Sequence, residues 1–186
     1  MTALYTSLSQ DIYRNTKINL KHYKGKQTKM KILVVYYSRT GLTKKIATLI
    51  STKLKADIDE VIDKKDRSGA MGYMRAGKDA MKNELTSITF THDPKDYDLV
   101  LIGGPVWAWT VTPAVRTYLD KNVDALKIKR VAFFASQGSS GSDKKFKAME
   151  DVIGMKPIAT LTINGKDFKS NTYESKVDEF VSSIKN

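Results

Sequence analysis

Three short stretches of this 186-residue chain gather residue types that can do chemistry as a group. The first is Ser38-Arg39-Thr40-Gly41-Leu42-Thr43, which follows an apolar run and leads into a stretch of helical periodicity. A helix start presents free N–H groups and a positive dipole end, and short hydroxyls beside a glycine let those amides close around a phosphate. The glycine spacings of the P-loop and of the dinucleotide fingerprint are both absent. Ordinary capping of the helix by Thr40 or Thr43 is the competing reading. The second stretch, Gly103-Gly104-Pro105-Val106-Trp107-Ala108-Trp109-Thr110, holds both tryptophans of the chain. They form either a cover over the core or a platform for a flat ring. As a platform, Trp107 is expected at the ring and Trp109 packed beneath. The third, Ser136-Gln137-Gly138-Ser139-Ser140-Gly141-Ser142, is all small residues apart from Gln137, able to bring backbone amides close to a ligand or to serve only as a flexible connection.

What must position these stretches is a sheet, because short apolar runs alternate with amphipathic segments from Lys31 onward. Five strands are expected: Lys31 to Tyr37, Asp57 to Ile62, Tyr97 to Gly103, Arg130 to Ala135 and Ile158 to Ile163. Ile46, Leu49, Ile50 and Leu54 recur at helical spacing, as do Val177, Phe180, Val181 and Ile184. The first, third and fourth strands are continuous apolar runs and belong in the middle of the sheet, whereas the second and fifth are mixed and belong at its edges. The expected fold is therefore α/β, a doubly wound five-stranded parallel sheet in the order 2-1-3-4-5 with helices on both faces. In that order the ligand crevice lies at the carboxyl ends of strands one, three and four, where the three stretches converge. The segment Gly72-Tyr73-Met74-Arg75-Ala76-Gly77-Lys78-Asp79-Ala80 reads as a solvated helix with Met71, Met74 and Met81 turned inward; a docking face built on Tyr73 and Arg75 is the alternative.

Composition narrows the function further. With 41% hydrophobic residues the chain can bury one substantial core, so one domain is expected, residues 30–186. It has no cysteine, which excludes disulfides, iron–sulfur clusters and thiol redox chemistry. Any electron it handles must sit on a bound cofactor. Its two histidines, His22 and His92, are not clustered with carboxylates, which argues against a transition-metal site. No apolar run is long enough to span a bilayer and no secretory signal opens the chain, so a cytoplasmic location is expected. The net charge is +12, and residues 1–29 carry six basic side chains against Asp11 alone, the pattern of a disordered or loosely docked basic tail. The remaining excess is diffuse, which favours solubility and attraction to an acidic protein partner over nucleic-acid binding.

From Lys31 to the C-terminus the chain resembles the flavodoxin family, in its short-chain form. The first stretch is similar to that family's Ser/Thr-x-Thr-Gly-x-Thr phosphate loop, and Gly103 to Ala108 and Gly72 to Ala80 are similar to stretches of short microbial flavodoxin-like proteins. The resemblance implies FMN as cofactor, with Ser38, Arg39, Thr40, Gly41, Leu42 and Thr43 at the phosphate. Pro105, Val106, Trp107, Ala108 and Trp109 would flank the ring, and Gly138, Ser139, Ser140 and Gly141 would meet its pyrimidine edge. It implies electron transfer with a redox partner protein or, as the alternative, hydride transfer from NAD(P)H to a quinone. Three departures bear on these expectations. Electron-carrier flavodoxins are typically acidic, whereas this chain is basic. Its third loop lacks the aromatic that many carriers stack on the flavin, which leaves one ring face open. Its ring loops carry no acid apart from Asp143 at the margin, so the fully reduced flavin is expected at a less negative potential. A phosphoacceptor receiver domain shares the strand order but needs carboxylates after the first strand and an aspartate after the third, where this chain has Ser38-Arg39-Thr40 and Gly103-Gly104-Pro105.

Overall fold

The continuous apolar runs form the middle of a parallel sheet in the computed structural model, which describes residues 30–185. The expected basic tail, residues 1–29, lies outside the described residues. The chain runs β1 (Ile32–Tyr36), α1 (Leu42–Leu54), β2 (Asp57–Glu60), β3 (Ile62–Asp63), α2 (Gly69–Met81), β4 (Ile88–Thr89) and β5 (Leu99–Pro105). It continues through α3 (Pro113–Lys121), α4 (Val123–Leu126), β6 (Arg130–Gln137), α5 (Ser142–Ile153), β7 (Thr160–Asn164), α6 (Gly165–Lys169) and α7 (Tyr173–Lys185).

The main sheet has the order β2-β1-β5-β6-β7, which is 2-1-3-4-5 when only its own strands are counted. All four pairings are parallel, with Val35 opposite Ile102, Ile102 opposite Phe133 and Phe134 opposite Leu161. Alternate residues feed two cores. Val34, Leu101, Phe134 and Ile163 meet Ile46 and Ile50 of α1 and Val177, Phe180 and Ile184 of α7. Leu33, Val35, Ile102 and Phe133 meet α3, α5 and two small residues of α2, Ala76 and Ala80. Each fully buried large side chain among them contributes about 1.5–3 kcal/mol by leaving water.

The structure shifts the bounds of all five expected strands, most by one or two residues. The second expected strand, Asp57 to Ile62, is broken at Val61, and Ile62 pairs instead with Thr89 in a separate two-stranded antiparallel sheet, β3 with β4. Strands β5 and β6 run on to Pro105 and Gln137, so residues read as loop extend the sheet toward the crevice. The methionines of α2 are the larger difference: Met71, Met74 and Met81 are exposed, while Gly72, Ala76, Asp79 and Ala80 face inward. A small-residue face lets this helix sit close, and a Cβ on Gly72 would come within 2.4 Å of the Arg67 backbone carbon.

Candidate functional site

The carboxyl ends of β1, β5 and β6 are adjacent in the sheet, so their three following loops meet at one edge. After β1 the backbone turns at Gly41, whose φ of 86° is the left-handed region that favours glycine. Gly41 donates its amide to Ser38 Oγ at 3.1 Å, and its carbonyl accepts from Lys45 to start α1. No side chain caps this helix, so neither Thr40 nor Thr43 has the capping role that was the competing expectation. The amides of its first turn have no intrahelical acceptor and point past the Ser38–Thr43 loop.

Two residues of that loop are spent differently from expectation. The Thr43 hydroxyl is buried and pairs with Ser136 Oγ at 2.7 Å, so Thr43 offers the loop its amide while its side chain ties α1 to the end of β6. Arg39 turns away from the loop interior. Its Nε donates to Arg67 O at 3.0 Å and its Nη2 to Gly69 O at 3.1 Å, and its guanidinium lies 5.3 Å from the Tyr73 ring centroid. Arg39 is thus a strap between the loop and α2. Lys44 and Lys45 are also engaged elsewhere, Lys44 with Glu60 at 3.3 Å and Lys45 over the Tyr173 ring at 4.5 Å.

After β5, Trp107 and Thr110 bridge each other, with Thr110 N donating to Trp107 O at 2.9 Å. The two residues between them, Ala108 and Trp109, have φ of 47° and 60°. Positive φ at both central positions is the pattern of a type I′ turn, and glycine or asparagine normally fills it. For a tryptophan it costs roughly 1–2 kcal/mol, and strain of this kind collects at functional sites. The turn separates the two rings. Trp107 is buried, edge-on to Tyr37 with ring centroids 5.6 Å apart, and Trp109 is 60% exposed. The packing is the opposite of that expected: Trp107 is the buried ring against the core and Trp109 the exposed one.

After β6, Gln137 closes the third loop by accepting from Ser142 N at 2.9 Å, while Gly138, Ser139 and Ser140 stay exposed. Gly141, with φ of 110°, lies against the tryptophan turn: a Cβ there would be 2.8 Å from Trp109 Cδ1 and 2.9 Å from Val106 Cγ1. Between the second and third loops lies a cleft of about 380 Å³ whose walls include Val106, Trp107, Trp109, Ser139, Tyr73 and Met74. Its size suits a small organic ligand. The Tyr73 and Met74 wall comes from α2 and was not among the expected site residues. A larger hollow of about 480 Å³ adjoins the first loop, lined by Ser38, Arg39 and Thr40 together with Glu60, Asp63 and Arg67. Among its lining side chains Arg67 already pairs with Asp63 at 3.0 Å, and both tryptophans belong to the other cleft.

One further residue was missed. Lys145 on α5 is fully buried, and its Nζ donates to the carbonyl of Gly104 at the end of β5. Burial brings its pKa down to about 7. The sequence did carry a signal, since Lys145, Met149 and Ile153 form one i, i+4, i+8 stripe on the inward face of α5.

A family model described as Flavodoxin matches residues 31–184. No curated protein sequence matches the chain. Among solved structures, a flavoprotein of Lactobacillus acidophilus in complex with FMN is 25% identical, with a TM-score of 0.58 over 77% of this chain and 98% of its own. The two-electron reduced flavodoxin of Megasphaera elsdenii is 20% identical, with a TM-score of 0.51 over 81% of this chain and 98% of its own. The Trp repressor binding protein of Bacillus subtilis is 12% identical at a TM-score of 0.53, covering 81% of this chain and 99% of its own. At these identities the last two speak for the fold alone.

Proposed function

The chain belongs to the flavodoxin family, and on that premise we propose that it binds FMN and carries electrons to or from an acidic redox partner in the cytoplasm. One observation carries the reading: an uncapped helix start, a strained turn presenting Trp109, and a glycine-serine loop meet at the switch point of the sheet. The residues present fit the group. The first-turn amides of α1, with the hydroxyls of Ser38 and Thr40, suit a phosphate. Trp109 and the backbone of Ala108 suit one side of a flat ring, and the exposed residues Gly138 to Ser140, with half-buried Gly141 beside them, suit its polar edge.

When bound, FMN supplies the ability to take and give electrons one or two at a time. The protein's own contribution is to hold the phosphate without a neutralising lysine, to cover part of the ring with Trp109, Tyr73 and Met74, and to exclude water from the side facing Trp107. Apart from Arg39, which is engaged with α2, the residues at 38–43, 105–109 and 138–141 include no titratable side chain. Acid–base catalysis thus has no agent in these loops, which suits electron passage.

A second reading is hydride transfer from NAD(P)H to a quinone. It is favoured by the third loop, where Ser139 and Ser140 are exposed and no aromatic closes the ring face. The first test is visible absorbance of the purified full chain with added FMN, where a stoichiometric flavin band is expected and none at excess FMN defeats the reading. Steady-state NAD(P)H oxidation with a quinone then separates the two functions. A carrier stays inert in that assay and takes electrons from dithionite in two one-electron steps; sustained turnover instead favours the enzyme.

A further inference from the structure

A lysine inside a protein is expensive because burial opposes its charge, and the cost is tolerable only with good partners or a function. Lys145 has one hydrogen-bond acceptor among the described residues, the Gly104 carbonyl, although an ammonium has three N–H bonds to satisfy. Thr112 Oγ1, at the start of α3, is buried without a partner among the described residues. The two groups converge on Gly104: a Cβ there would lie 3.6 Å from Lys145 Nζ and 3.7 Å from Thr112 Oγ1. It would also meet Val115 Cγ2 at 2.8 Å, so only glycine fits. The next residue, Pro105, ends β5 and opens the ring loop. A lysine, a hydroxyl and a carbonyl are therefore packed directly behind the segment that flanks the cleft.

Among the described residues no carboxylate pairs with this lysine. The elements packed on α5 are α3, α4 and β6, and their ionisable side chains are Arg116, Tyr118, Asp120 and Lys121, then Asp124, then Arg130. On α5 itself are Asp143, Lys144, Lys147, Glu150 and Asp151. None of these moves the Lys145 amine, whose state is set by burial alone. A counter-charge can come only from outside these elements, and the cleft wall begins at Val106, two residues beyond the Gly104 carbonyl that Lys145 holds.

We propose that Lys145 is a proton-linked positioning residue of the ring site, neutral beside oxidised flavin and an ammonium beside reduced flavin, with Gly104 as the link between them. The proposal rests on the FMN reading above. Lys145 takes one proton from water as two electrons from an external reductant and one proton from water enter the ring, so two protons are consumed per two electrons. Two N–H bonds form, one on the amine and one on the ring, and two O–H bonds of water break, leaving hydroxide that the buffer neutralises. The charge left on the ring by two electrons and one proton is met by the ammonium, in surroundings where charges are weakly screened. The amine's tendency to lose its proton near neutrality makes this exchange possible at physiological pH.

The test is proton uptake during anaerobic dithionite titration of the FMN-loaded full chain at pH 8, with Lys145→Met and Lys145→Gln alongside. Two protons per two electrons are expected for the wild type and one for each variant. In both variants the ratio of reduced-FMN to oxidised-FMN affinity should fall roughly tenfold. Lys145→Gln keeps a donor for Gly104 but no charge, so wild-type behaviour in that variant would show a purely structural hydrogen bond and overturn the proposal. One proton in the wild type would overturn it as well. Lysine-selective NMR on the oxidised wild-type protein gives a reading that needs no variant to fold: an amine titrating near the ordinary lysine value defeats the idea. Failure of FMN to bind is seen in absorbance before any reduction, and it removes the site reading together with this one.

Discussion

Trp107 and Trp109 lie two residues apart on one turn and should respond oppositely to truncation. Trp107→Ala empties a buried site against Tyr37 and should cost about 3–5 kcal/mol of stability in urea unfolding. Trp109→Ala removes an exposed ring from a strained position, so its stability should stay close to wild type. Its FMN affinity should weaken about tenfold in a fluorescence titration, the scale of one aromatic contact. Lys145 makes a separate prediction for the flavin-free chain. Its folded pKa of about 7 lies below the unfolded value, so between those values the unfolded state binds more protons and stability rises with pH. Urea midpoints should climb from pH 7 toward pH 10, and Lys145→Met should flatten that climb and raise stability at neutral pH. The meeting of the three loops of the candidate site was legible, because hydroxyl, glycine and aromatic residues cluster after three apolar runs that lie side by side in the sheet. It was not readable at the level of side-chain direction: left-handed φ at Ala108 and Trp109 swaps which ring faces out, and residue type does not disclose that.

At the scale of elements, α2 is held by a charged pin rather than by its methionines. Buried Arg67 bonds Asp63 Oδ2 from Nε and Asp79 Oδ2 from Nη1, and Lys65 joins Asp79 at 2.7 Å. Arg67→Met leaves buried Asp63 without a cationic partner and Asp79 with Lys65 alone, and should destabilise the fold by about 3–5 kcal/mol in denaturant titration. The hydrogen bond from Lys65, with that from Arg67 and against the opposing effect of burial, holds the Asp79 carboxyl below its usual range. Its stabilisation is therefore complete above the unfolded carboxylate pKa and is lost as pH falls through the lower folded value. The stability gap between wild type and Asp79→Asn, read by urea unfolding at a series of pH values, should therefore be widest near neutral pH and close as pH falls through that value. Sequence periodicity misjudged this helix because Gly72, Ala76 and Ala80 are a weaker signal than three methionines, yet small size is what allows close docking. Helices α1 and α7, with Ile, Leu, Val and Phe at regular spacing, were legible for the opposite reason.

For the whole molecule, the strand order was legible because edge and central strands differ in composition, and that contrast is a direct effect of burial on one face or two. The separate β3–β4 pair was not, since two-residue strands leave too short a pattern. The charge of +12 makes one prediction at this scale: association with an acidic redox partner should slow by about tenfold or more between low and high salt in stopped-flow measurements, while the electron-transfer step after docking changes little. None of the described helices is long and apolar enough to cross a membrane. The tryptophan turn also gives the protein a built-in optical gauge. Both indoles of the chain sit on that one turn, one dry and one wet, so every photon of tryptophan emission originates at the mouth of the cleft. Acrylamide should quench the red-edge fraction from Trp109 and spare the blue-edge fraction from Trp107, and a guest entering the cleft should dim the first before the second. The state of the mouth can thus be followed in real time with no label attached.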